Sequence, residues 1–167
     1  MRRLVGLFFL GMATPVALPL SSGSSPQAEI AASEEPVLRE PVEAILGLFD
    51  RYSVVGLGEG SHGNWQGATF RLRLLRDPRF PQIVDDILVE YGTGRYQDLM
   101  DRFVAGDHVP LDSVRLCWRE TTQPVIWDTP VYEEFFRAIR ALNQSLSEDE
   151  KIRVLLGDPP IDLTGIR

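Results

Sequence analysis

Three short apolar runs, each followed by a polar loop that contains glycine, constrain the fold of this chain more than any other feature. They cover residues 53–58 (SVVGLG), 86–90 (DILVE) and 152–156 (IRVLL). Continuous apolar runs of this length are typical of strands that are buried in a parallel sheet. Helical patterns separate them, so the sequence predicts an α/β fold with a parallel-type sheet flanked by helices. Three strands are few for such a sheet, which predicts an incomplete domain.

Segments with helical periodicity lie between these runs. The clearest covers residues 129–146, where Thr129 is a suitable N-cap and Pro130 suits the first turn. Residues 41–167 are therefore predicted to form one α/β domain, or the N-terminal part of a larger one. Further helices are predicted over residues 41–52, 65–77, 93–107 and 111–122.

The N-terminus has the charge and hydropathy pattern of a secretory signal. Two arginines precede the apolar stretch Leu4–Ala13, and small polar residues follow it. The stretch is too short to span a bilayer comfortably, although an uncleaved N-terminal anchor is the alternative interpretation. The pattern predicts a signal over residues 1–28, cleaved between Ala17 and Ala28, and a linker over residues 29–40. We therefore expect a periplasmic or secreted protein that meets a membrane only through this signal.

Charge and cysteine content limit the classes of partner. The net charge at pH 7 is −7, which repels a phosphate backbone, so nucleic acid is not an expected partner. A small molecule is the expected ligand. Cys117 is the one cysteine and lies among apolar residues, so it is predicted to be a buried apolar side chain rather than a nucleophile.

Polar residues follow each of the three predicted strands. In a parallel α/β sheet, ligands bind beyond the carboxyl ends of the strands, so these residues should share one edge of the sheet. Each has an ordinary structural alternative, such as a helix cap, a turn, or an ion pair of Glu90 with Arg71, Arg73 or Arg95. The convergence of three acids and a histidine nevertheless favours a functional site. The residues are Glu59, Ser61 and His62 after the first run, Glu90 and Tyr91 at the end of the second, and Asp158 after the third.

The glycine-rich turn also has the spacing of a dinucleotide-binding motif. Gly58, Gly60 and Gly63 form G-x-G-x-x-G between a predicted strand and a predicted helix. Against this interpretation, Glu59 would place a carboxylate where the pyrophosphate should bind.

A metal site and a serine nucleophile are two other functions to consider for the same turn. A metal site built from Glu59, His62 and Glu90 is chemically reasonable, but the spacing E-x-x-H has low specificity. Ser61 does not form a G-x-S-x-G nucleophile elbow, because Glu59 stands where the first glycine is required.

The turn and the second strand together resemble a known family. An apolar strand followed by Gly58, Glu59, His62 and Gly63, with a later strand that ends in Glu90, is similar to the erythromycin esterase-like family. That family belongs to a wider superfamily with haem-uptake ChaN-like proteins and Tiki-type proteases. Its members are longer than this chain and carry a later histidine, so a truncated member is one expectation.

The resemblance implies hydrolysis of an ester-type substrate. His62 would be the base that activates a water molecule, Glu59 would orient His62, and Glu90 would be a second acid in the pocket. It implies no obligatory cofactor in the esterase branch, whereas relatives use haem or a divalent metal. A haem- or metal-binding protein without turnover, or an inactive fragment, is therefore the alternative. The expected substrate-binding residues are Ser61, Arg71, Tyr91 and Asp158.

Overall fold

The computed structural model describes residues 3–8, 40–121, 124–160 and 162. Four strands and eight α-helices are found in these residues. The strands are β1 (Leu4–Phe8), β2 (Val54–Gly58), β3 (Asp86–Thr93) and β4 (Arg153–Asp158). The helices are α1 (Pro41–Leu48), α2 (Trp65–Leu75), α3 (Phe80–Ile83), α4 (Gln97–Ala105), α5 (Leu111–Val114), α6 (Leu116–Arg119), α7 (Pro124–Trp127) and α8 (Pro130–Asn143).

The strands form one parallel sheet in the order β2-β1-β3-β4. This confirms the predicted α/β fold with a parallel sheet flanked by helices. The strand that follows β1 in the sequence, β2, lies on one side of it in the sheet, whereas the strand that follows β3, β4, lies on the opposite side. The direction of the connections therefore reverses between β1 and β3. In sheets wound in this way, the crevice beside the point of reversal is the usual place for a ligand.

One strand of the sheet is additional to the three that the sequence predicts. It is β1, which pairs with both β2 and β3 and lies within the apolar stretch interpreted above as part of a signal. Signal sequences and buried parallel strands have the same apolar composition, so pattern alone does not separate them. The predicted cleavage region and residues 29–39 of the predicted linker lie outside the described residues.

The apolar core lies against one face of the sheet. Val5, Val55, Ile87 and Val154 are register neighbours on the four strands, so their side chains form one row on this face. Each is at most 6% exposed. The amphipathic helix α8 packs against α2 and α4, and its apolar stripe joins the same core. None of the helices in the described part of the chain is long and apolar enough to cross a membrane.

The predicted helices form with shorter or divided boundaries. The helix predicted over residues 93–107 is a 3-10 turn at Gly94–Tyr96 followed by α4. Gly106, with φ +114°, ends α4 in the left-handed conformation that favours glycine. The segment predicted as one helix over residues 111–122 is divided into α5 and α6.

Strand β3 is longer than predicted because it continues through an irregularity. The sequence indicates a strand that ends at Glu90 before a glycine, whereas β3 runs to Thr93. Its register with β4 shifts between Val89 and Thr93, where β3 contains two more residues than β4. Such bulges bend a strand and redirect its side chains. The redirected segment contains Glu90.

Candidate functional site

The site is built on the turn between β2 and α2. The turn covers residues 59–63 and contains Glu59 and His62. Gly63 has a φ of +67°, a conformation that costs little only for glycine. Asn64 then caps α2, since its Oδ1 accepts a hydrogen bond of 2.6 Å from the backbone N–H of Gly67. The cap and the glycine together hold the turn in one shape.

Glu59 is the centre of the polar contacts. Its Oε1 lies 2.9 Å from Nη1 of Arg71, and its Oε2 lies 3.4 Å from Nδ1 of His62. The hydroxyl of Tyr132 donates a 3.0 Å hydrogen bond to the same Oε2. The carboxylate is only 11% exposed, so these partners offset the cost of burying its charge.

Tyr132 connects the turn to the first turn of α8. Its hydroxyl accepts a 2.9 Å hydrogen bond from the backbone N–H of Gly63 and donates to Glu59. Burial, chiefly, raises the pKa of Tyr132 well above its usual value, so the hydroxyl keeps its proton and remains a donor. Tyr132 therefore restrains both ends of the turn that carries His62.

Aromatic rings form the wall beside His62. The imidazole meets the Trp127 ring edge to face at 4.4 Å, and Trp127 stacks on Tyr91 at 4.7 Å. Tyr91 in turn contacts Tyr132 at 4.6 Å. Burial raises the pKa of Tyr91 well above its usual value, so this ring is a neutral part of the wall. Trp127 is therefore the member of this wall that packs directly against the imidazole.

A cavity of about 620 Å³ opens beside the turn. A volume of this size is within the range of small-molecule sites. Its polar side chains include two carboxylates and one guanidinium, and aromatic rings provide much of the remaining surface. The polar residues are Glu59, Ser61, Asn64, Gln66, Arg71 and Glu90, and the aromatic residues are Phe70, Tyr91, Trp127 and Tyr132.

Glu90 reaches the cavity through the bulge in β3, and two glycines make room for that bulge. Gly92 has a φ of +100°, and a Cβ on it would lie 2.7 Å from Cδ2 of Leu156. A Cβ on Gly157 would overlap the carbonyl oxygen of Val89 and lie 3.0 Å from that of Glu90. The backbones of β3 and β4 therefore approach each other more closely than any side chain at position 157 would permit.

Most of the residues predicted from sequence meet in one place. Glu59, Ser61, Arg71, Glu90 and Tyr91 all line the cavity. His62 is not itself among the residues that line the cavity, but it contacts two that are, Glu59 and Trp127.

Asp158 is the described candidate residue that lies apart from the others. It ends β4, whereas Glu59 follows β2, and these two strands are the opposite edges of the sheet. Three strand spacings separate them, or about 14 Å. Asp158 is not among the residues that line this cavity. The position of each strand in the sheet, and not its position in the sequence, decides which loops are neighbours.

Several lining residues were not anticipated from the sequence. Trp127 lies in the short α7, and Tyr132 is the third residue of α8. Each reads as part of an ordinary apolar pattern, and no local signal places it against a turn about 70 residues earlier. Asn64 could have been found, since an asparagine just before a helical pattern is a typical N-cap.

Within the described residues, no group of three or more His, Cys, Asp or Glu side chains is arranged to hold a metal ion. The haem- or metal-binding alternative therefore stays a prediction from the resemblance. The charges of the cavity disfavour the dinucleotide interpretation. Among its described lining residues, the carboxylates of Glu59 and Glu90 outnumber the guanidinium of Arg71.

The fold and the site define an α/β protein with a Glu–His pair at the carboxyl edge of a parallel sheet. Comparisons of this chain with protein-family models, with curated proteins and with solved structures found no match.

Proposed function

We propose that this protein is an ester hydrolase in which His62 activates a water molecule. The observation that carries the proposal is the distance of 3.4 Å between Nδ1 of His62 and Oε2 of Glu59, beside a cavity of small-molecule size. A carboxylate next to Nδ1 favours the tautomer with its proton on that nitrogen. The other nitrogen, Nε2, then carries the lone pair that a general base needs.

The order of contacts resembles that of a catalytic triad without its nucleophile. Glu59 orients the imidazole, as the acid does in a triad, and Arg71 and Tyr132 hold Glu59 in turn. Distances between catalytic groups are often long in a ligand-free site and shorten when the substrate binds. A separation of 3.4 Å is compatible with that behaviour.

The proposed reaction is direct hydrolysis. His62 takes a proton from water as the water oxygen attacks the ester carbonyl carbon. The tetrahedral intermediate carries its negative charge on the former carbonyl oxygen. The guanidinium of Arg71, which lines the cavity and also pairs with Glu59, is the group we propose to stabilise that charge. The C–O bond to the alcohol then breaks, and the imidazolium returns the proton to the leaving oxygen. The products are one carboxylic acid and one alcohol.

The lining indicates which esters to test first. Two carboxylates and one guanidinium give the cavity a negative balance, so a neutral ester should enter more readily than one that carries an added acid. Aromatic walls favour an apolar acyl or alcohol group. Neutral p-nitrophenyl esters of increasing chain length meet both conditions.

The first prediction concerns His62. The substitution His62→Asn should lower kcat for these esters by about 100-fold or more, because the general base is lost. Initial rates of p-nitrophenol release measure this effect. The matched control is His108→Asn, since His108 is the other histidine of the chain and is exposed, away from this cavity. Equal turnover by the two variants would contradict the proposal, provided that both have the circular dichroism spectrum of the wild type.

A further inference from the structure

Strand β1 is the strand of the sheet that lies between the two halves of the candidate site, β2 with its turn and β3. It pairs with β2 over five residue pairs, from Leu4↔Val54 to Phe8↔Gly58. It pairs with β3 over four, from Leu4↔Asp86 to Leu7↔Val89. Among the described strands, β2 lies at the edge of the sheet and adjoins β1 alone.

Backbone contacts extend the pairing beyond the strand. The N–H of Leu4 donates to the carbonyl of Ser53 at 2.9 Å. The carbonyl of Arg3 accepts from the N–H groups of Asp85 and Asp86, and the N–H of Arg3 donates to the Asp85 carboxylate at 2.8 Å. These bonds occupy both sides of the segment, as in an inner strand of a sheet.

The packing of β1 agrees with its pairing. Val5 is 3% exposed and lies in the same row as Val55 and Ile87. Loss of such a buried side chain leaves a cavity at the centre of the core. The segment therefore contributes apolar burial as well as a hydrogen-bond ladder.

The position of β1 matters for the site because of what its neighbours carry. Strand β2 leads directly into the turn with Glu59 and His62, and β3 carries Glu90. With β1 between them, these strands are two spacings apart, or about 10 Å. Without β1, the ladder that joins β2 to the rest of the sheet is absent.

The same residues have the apolar pattern of a signal. Leu4–Ala13 has the composition of a targeting core, and the pattern places cleavage after it. A segment that is inserted in a membrane, or removed by a peptidase, does not form the β1 ladder. The two roles therefore exclude each other within one molecule.

We propose that Leu4–Phe8 is a retained strand of the folded protein and that the site exists only while this strand is in the sheet. Engagement of the N-terminus as a targeting signal, or its removal, keeps the site disassembled. The inference builds on the proposed function, because the site that β1 supports is the proposed hydrolase site. The test measures whether β1 stays in the sheet and not whether an ester is hydrolysed. A negative result for either proposal therefore leaves the other to be tested by its own experiment.

The experiment cuts the folded chain between β1 and α1. A protease recognition sequence is inserted between Ser22 and Gly23, in the run SSGSS, and the purified full chain is cut after folding. Native size-exclusion chromatography with intact-mass analysis then measures whether the N-terminal fragment stays with the remainder. We expect one-to-one retention in native buffer and separation in denaturant. A fragment that elutes alone, from a remainder with unchanged circular dichroism, overturns the proposal.

Two variants and a second readout make the result specific. Val5→Asp, which places an unpaired charge in the core, should release the fragment after cutting, whereas Val5→Ile should retain it. Hydrogen exchange of the uncut wild type covers the case in which Val5→Asp does not fold. Its amides at residues 4–8 should be protected as strongly as those of β3. Exchange at the rate of an unstructured chain would overturn the proposal.

Discussion

Glu59 shows how a single side chain can organise a turn. One of its oxygens faces Arg71, and the other receives the Tyr132 hydroxyl and faces His62. Because the two oxygens have different partners, the carboxylate cannot rotate without losing one of them. A restrained acid of this kind holds an imidazole in one orientation more effectively than an exposed one.

A second prediction, at the scale of one atom, concerns the Tyr132 hydroxyl. The substitution Tyr132→Phe removes the donor to Glu59 and the acceptor for the Gly63 N–H. We expect the free energy of unfolding to fall by about 1–3 kcal/mol, because a part-buried N–H group loses its partner. We also expect ester hydrolysis to fall, since Glu59 becomes free to rotate. Denaturant titration and initial rates measure the two effects.

Tyr96 provides the matched control for that variant. Its hydroxyl donates a 2.7 Å hydrogen bond to Glu120, so Tyr96→Phe also removes one tyrosine hydroxyl from a carboxylate. Tyr96 and Glu120 are not among the residues that line the cavity. If both variants lose the same fraction of activity, Tyr132 has no special part in positioning Glu59.

Individual residues were predictable where the signal is local. Glu59 and His62 stand out because glycines surround them and a strand precedes them. Ion-pair partners were not predictable in this way. Arg71, Arg73 and Arg95 were the arginines near enough in sequence to be considered for Glu90. In the structure Arg71 lies against Glu59, Arg73 pairs with Glu40 and Arg95 pairs with Asp162, and none of these three pairings was predicted. Such choices depend on how distant segments pack.

Among the elements, the bulge in β3 decides where Glu90 is. It requires close contact between the backbones of β3 and β4 at Gly157. The third prediction is that Gly157→Ala destabilises the protein by about 1–3 kcal/mol, because its Cβ meets rigid carbonyl oxygens rather than a flexible side chain. Displacement of Glu90 should also change KM for the test esters. Thermal denaturation and steady-state kinetics measure these effects.

The control for that glycine is Gly47 in α1. A Cβ on Gly47 would meet no atom within 4 Å. Gly47→Ala should therefore leave stability unchanged or raise it by about 0.5–1 kcal/mol, as is usual for alanine in a helix. Destabilisation of both variants to a similar degree would show that close packing at Gly157 is not the cause.

At the scale of the whole molecule, the core is continuous from the sheet to the helices on its covered face. Cys117 lies within it, fully buried on α6, which packs against β3. Burial raises the pKa of the Cys117 thiol to about 12, so the thiol is protonated at neutral pH. The side chain thus belongs to the apolar core, as its sequence context predicts.

The fourth prediction uses this thiol as a probe of the whole fold. Because Cys117 is the one cysteine of the chain, its reaction with a disulfide reagent should be slow in native buffer and fast in denaturant. The native rate should rise in Gly157→Ala, in proportion to the increased population of opened molecules. Absorbance of the released thiolate measures both rates. Rapid modification of the native wild type would contradict the buried position.

The sequence by itself determined the α/β class, the turn with Glu59 and His62, and the arrival of Glu90 at the same edge of the sheet. These depend on short-range signals, namely apolar runs, helical periods and glycine positions. Only the tertiary structure decided the strand order, which inserts β1 beside β2 and leaves Asp158 at the far edge. It also decided the approach of Tyr132 and Trp127 to the turn. The physical reason is that strand pairing and core packing join residues that are distant in sequence, and their free energies depend on the whole arrangement rather than on any segment.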